Sequence, residues 1–100
     1  MVKKVTKRPT NYWTKTSLEI GKQYLFRSVT HYYVGRLVNI TDTDLILEDA
    51  AWVADTGRFS NALNTGTLNE VEPFIKPVIV FRSGLIDATE WTGKLPADLK

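Results

Sequence analysis

The 100-residue chain contains no cysteine and a single histidine, His31. Without cysteine there is no disulfide framework and no thiolate nucleophile. One histidine cannot make the His-rich or Cys-rich sphere that zinc and related metals take. No metal and no cofactor is therefore expected. No apolar run approaches the roughly 20 residues of a membrane helix, and no apolar stretch follows the basic N-terminus as a signal peptide requires. The expected location is the cytoplasm, with no membrane partner. A nucleophile paired with a base is missing too, because the serines are scattered and His31 has no evident partner. The acidic pairs Glu48/Asp49 and Glu70/Glu72 read as solvated carboxylates, so an enzyme is not expected. Internal repeats and low-complexity tracts are absent.

Negative charge is missing from one place in particular. Lys3, Lys4, Lys7, Arg8 and Lys15 give the first fifteen residues five positive charges and no negative one. The remainder carries eight basic and eleven acidic groups, a net of −3. The chain is thus a mildly acidic body with a basic arm, which reads either as a solvated terminus or as a polyanion-binding extension.

What the body does contain is one domain's worth of β-prone sequence, 43% hydrophobic and 24% charged overall. Residues 11–16 (NYWTKT) bring Tyr12 and Trp13, expected to pack the arm onto the domain. Gly21 suits a bend. Residues 22–30 (KQYLFRSVT) and 32–41 (YYVGRLVNIT) predict two strands with His31 at an exposed turn between them. Neither alternates cleanly, which predicts strands with both faces partly covered. Gly35, inside the second strand, marks a bend or a close backbone approach.

Asp42–Thr43–Asp44 forms the next turn, and residues 45–47 continue the sheet, with 48–54 carrying it on or leaving it. In residues 55–66 (DTGRFSNALNTG), Asp55 or Thr56 is expected to cap a short helix over 58–63 that Gly66 ends. Phe59, Ala62 and Leu63 make its apolar face. Residues 67–74 read as extended, held by Leu68, Val71 and Phe74. Residues 77–81 (PVIVF) predict a strand covered on both faces, 85–91 a last short strand, and 95–100 a frayed end.

The fold class predicted is all-β, a small, strongly bent, five-stranded antiparallel barrel of SH3-like type. A short helix lies in an insertion before the fourth strand. The division is 1–16 basic arm, 17–93 barrel with its insertion at 51–77, and 94–100 C-terminal tail.

The order of these features resembles the Sm-like family (Sm, LSm and Hfq-type proteins). Residues 22–27 correspond to its first strand, Gly35-Arg36-Leu37 to its G-x-L, Asp42 to its turn acid, and 45–50 (LILEDA) to its third strand. Residues 80–86 (VFRSGLI) match its second motif, an apolar strand ending in Arg-Gly, with one residue inserted between Arg82 and Gly84. The turn is one residue shorter than usual, and Asp44 stands where the family commonly places an asparagine that bonds a base.

The resemblance implies a homo-oligomeric ring, closed by pairing the fourth strand of one copy with the fifth of the next. It implies single-stranded RNA at the pore, contacted by Arg82, Asp44, Thr43 and Gly84. Arg82 is the leading candidate, since guanidinium stacks on bases and pairs with phosphate. The other reading of Arg82 is a surface ion pair with Asp87 or Glu90, and of Asp44 a side chain that stabilises its own turn. Gly35 and Gly84 read as backbone devices that permit curvature or positive φ. Trp13, Trp52 and Trp91 are stacking platforms or core and interface anchors, with anchoring preferred for Trp52 and Trp91. The alternative function is a protein-binding or structural ring scaffold of a bacterial or phage assembly.

Overall fold

The computed structural model describes residues 17–100; the basic arm, Tyr12 and Trp13 lie outside the described residues. The chain forms β1 (Gln23–Ser28), β2 (Tyr32–Ile40), β3 (Asp44–Asp55), helix α1 (Phe59–Thr65), β4 (Glu70–Pro73), β5 (Val78–Phe81), a 3₁₀ turn (Arg82–Gly84) and β6 (Leu85–Glu90). All strand pairs are antiparallel in one open sheet ordered β4-β3-β2-β1-β6, with β5 also on β3. Among the described residues no helix is long and apolar enough to cross a membrane.

Six strands replace the expected five. The twelve-residue β3 is long enough to serve two neighbours along one edge: Asp44–Leu47 pair with β5 and residues 51–55 pair with β4. The insertion is therefore part of the sheet. Its helix begins after Arg58, which makes no side-chain cap bond. The expected caps act elsewhere: Asp55 Oδ1 accepts the Gly57 amide (2.9 Å), and the Thr56 hydroxyl donates to the Gly57 carbonyl (2.8 Å). Gly66 ends the helix in the left-handed region, φ 74°, its amide reaching back to the Ala62 carbonyl, the form of C-terminus glycine favours.

Both faces of the sheet are covered, which accounts for the non-alternating strands. Tyr24, Leu25 and Phe26 are consecutive and all buried. Tyr24 and Phe26 join Leu37, Leu45, Leu47, Ala50 and Val80 on one face. Leu25 turns to the other face and joins Val34, Ala51 and Val53, where Ala62 of α1, Leu68, Val71 and Trp91 cover them. Tyr32 and Tyr33 divide in the same way. Period-2 geometry sends neighbours to opposite faces, so a run apolar at every position requires two cores. On α1 only Ala62 is fully buried; Phe59 and Leu63 stay partly exposed.

The sheet bends at irregularities in register, at Val34/Arg36 and Leu37/Asn39 of β2, Val53/Asp55 of β3 and Arg27/Ser28 of β1. At the first of these, Gly35 faces Asp49 and Ala50. Asp49 sits at φ 50°, the only non-glycine with positive φ among the described residues, as the extra residue of a bulge can. The Arg36 guanidinium holds its carboxylate.

The tail is not frayed. Gln23 Nε2 donates to the carbonyls of Trp91 (3.1 Å) and Gly93 (2.9 Å), and Trp91 Nε1 donates to the Lys94 carbonyl (3.2 Å). Leu95 packs on the second core, and Lys100 exchanges two backbone bonds with Val71 at 2.8 and 2.9 Å.

Candidate functional site

The turn between β2 and β3 is closed by a residue the sequence reading passed over. Thr41 Oγ1 accepts the amides of Asp44 (2.8 Å) and Thr43 (3.3 Å), and the Thr41 amide donates to the Asp44 carbonyl (2.9 Å). This is the hydroxyl-closed turn that a Ser or Thr at the first position allows. The turn-stabilising role read for Asp44 thus belongs to Thr41. The signal was available as T-D-T-D, in which either threonine could serve.

The 3₁₀ turn after β5 lies against this turn. Phe81 pairs with Asp44 in register, the Arg82 amide donates to the Thr43 carbonyl (2.8 Å), and Arg82 Nη1 donates to the Thr41 carbonyl (2.6 Å). Arg82, Thr43 and Asp44, some forty residues apart in sequence, are therefore neighbours. Gly84 is two residues further on in the same 3₁₀ turn. It has no positive φ, and a Cβ there would meet open space, so the conformational need read for it is absent. Gly35 is different: a Cβ would lie 2.8 Å from Ala50 Cβ and 3.1 Å from its Cα.

The ion pair read for Arg82 does not form. Asp87 is taken by Arg27, directly across β1, and Glu90 by Lys22. The hydrogen bond to Asp87 raises the Arg27 guanidinium above its already high ordinary value, as that to Asp49 does for Arg36. Arg82 instead spends its charge on a neutral carbonyl, with Asp42 and Asp44 alongside and no salt bridge to either. Chemically the site is one guanidinium held on a turn that also carries Asp42 and Asp44, neither in an ion pair among the described residues.

His31 is half-buried rather than exposed. Its ring meets Tyr33 edge-on at 4.8 Å and Trp52 at 5.1 Å, and Nδ1 faces the Thr30 hydroxyl at 2.8 Å. Nε2 is buried without a partner. Trp91 is buried in the core, and Trp52 is half-buried against His31, outside both cores. A cleft of about 430 Å³, lined by His31, Tyr33, Val80, Phe81 and Leu85, separates the β1–β2 turn from the β5–β6 corner.

The sheet edges differ. Along β4, the outward Val71 amide is already bonded to Lys100, and Pro73 has no amide to offer. Among the described residues β5 pairs only with β3 and β6 only with β1, so each keeps an edge that none of them covers. Ile79 and Phe81 on β5 are 57% and 66% exposed, and Ile86 on β6 is 58%. The strand read as covered on both faces is thus covered by its own chain on one. No cluster of His, Cys, Asp or Glu suited to a metal occurs among the described residues. The chain matches no protein-family model, no curated protein and no solved structure.

Proposed function

We propose that this chain is an Sm-like protein, a bent barrel that assembles head to tail into a ring and binds single-stranded RNA at a pore lined by Arg82. The observation that carries the reading is the convergence of the two motifs: the G-x-L strand's turn and the Arg82 turn share three contacts, through Thr41, Thr43 and Asp44. The barrel reading is supported by β3, bent at Asp49 and serving both β4 and β5, and by β1 between β2 and β6. The two free edges belong to β5 and β6, the strands that correspond to the fourth and fifth of the resemblance.

Arg82 gives up a bond to a neutral carbonyl when it turns to phosphate, where the bond is charge-assisted and stronger. Its planar guanidinium also stacks on a splayed base. Fluorescence anisotropy with U-rich and A-rich oligoribonucleotides at low salt tests this. Binding that weakens with salt is expected, and Arg82→Ala should lower affinity about tenfold, the loss of one charge-assisted contact. No binding at low salt rules the RNA reading out.

The second reading, a protein-binding ring scaffold, is favoured by Asp42 and Asp44, which belong to the turn that holds Arg82 and would repel phosphate. In that case Asp42→Asn with Asp44→Asn weakens partner capture. Under the RNA reading the same pair of changes strengthens RNA binding.

A further inference from the structure

Among the described residues the β5 edge carries the only bare strand-borne apolar pair, Ile79 and Phe81, and its hydrogen-bond parity decides where that pair goes when a second copy adds to the sheet. The Arg82 amide bonds Thr43, so alternate residues Val80 and Val78 also point their backbone groups at β3, while Ile79 and Phe81 point theirs outward. On β6 the Trp91 amide bonds Gln23, which by the same alternation turns Ala88 and Glu90 outward. Outward residues must face outward residues, and residues directly opposite in a ladder share a face. Ala88 lies opposite Phe26 and so belongs to the Phe26 face. Ile79 lies on the face away from Val80, which packs with Phe26.

We infer that a second copy seats its Ile79 and Phe81 on the Phe26 face of this one, Ile79 opposite Ala88 and Phe81 beside Ile86, the extra residue of the bulge opposite Ser28, so that Phe81 fills the cleft beside Leu85, Tyr33 and His31. The inference rests on the ring reading above and adds which side chains close it. The shifted register, with Phe81 opposite Ala88, would press Ile79 against the Glu90 carboxylate. The chosen one matches apolar to apolar and leaves Pro77, which cannot donate, at the end of the ladder.

Charge selects a head-to-tail join over a symmetric one. β5 and its flanks carry Lys76 and Arg82 with no acid, whereas β6 carries Asp87 and Glu90 with no base. Although Arg27 and Lys22 reach those carboxylates, both remain about half exposed, at 53% and 55%. A β5–β5 pair would set cation against cation, and a β6–β6 pair acid against acid. The third edge, β4, is already occupied by Lys100.

The cysteine-free chain makes the test direct. Ile79→Cys is mixed with a size-tagged Ala88→Cys under mild oxidation, and separately with Thr89→Cys, which faces the opposite side. Both β6 variants are at exposed positions, and circular dichroism confirms that each stays folded. The expected result is an inter-copy disulfide for the Ala88 pair and none for the Thr89 pair. An assembly seen by light scattering in which the Thr89 pair crosslinks, or neither does, overturns the seating but leaves the ring. A monomer at micromolar concentration overturns both.

Discussion

Gly35 occupies a point of close approach between β2 and β3. The 2.8 Å and 3.1 Å approaches to Ala50 involve a buried methyl and a backbone carbon on a packed strand, neither free to swing aside. Gly35→Ala is therefore expected to cost about 1–3 kcal/mol, the range for overpacking a filled core. Urea denaturation measures it, and an unchanged midpoint would show that the bulge at Asp49 can move. A strand glycine was legible from sequence as a bend or close approach, and this residue is the second kind. Gly84 looked alike in one letter and is neither. Only the neighbouring strand separates the two, since a glycine's need is set by what its missing Cβ would touch.

At the scale of elements, the C-terminal segment changes the most between sequence and structure. LPADLK has no period and little to bury, so it reads as loose. It is held by contacts that have no local signature: Gln23 bridging the Trp91 and Gly93 carbonyls, Gly66 and Gly93 packed together, and Leu95 on the second core. Deleting residues 94–100 removes Leu95's partial burial, worth about 1 kcal/mol, and the two bonds between Lys100 and Val71, each about 1 kcal/mol. The expected outcome is a lower unfolding midpoint with fast hydrogen exchange at the Val71 amide. Unchanged protection at Val71 would mean that β4 does not depend on the strap. The sixth strand was hidden for a related reason. TLNEVEPF is polar along one side because it lies at an edge, and its partner is the far half of a twelve-residue strand.

At the scale of the molecule, the strand edges are unequal by construction. β4 is blunted by Lys100 and Pro73, while β5 and β6 remain open and carry Ile79, Phe81 and Ile86 bare. Open apolar edges invite pairing between chains. If copies assemble through them, the folded state is stabilised by mass action and the unfolding temperature rises with protein concentration. Calorimetry over a hundredfold dilution series should show that rise. A constant temperature together with a monomeric mass would place β5 and β6 among edges that stay unpaired in solution.

By itself the amino-acid sequence determined five of the six strand runs, the helix ended by Gly66, the bend at Gly21 and the turn at residues 42–44, because each depends on the local chain: side-chain period, backbone freedom and turn chemistry. It also held the two motifs that bear on function, but not their meeting. Only the tertiary structure set Arg82 on the carbonyl of Thr41, gave Asp87 to Arg27 and Glu90 to Lys22, and left Asp42 and Asp44 without a cation among the described residues. Which charge meets which is decided by strand register across about forty to seventy residues, and a one-residue slip in register would turn every side chain to the other face.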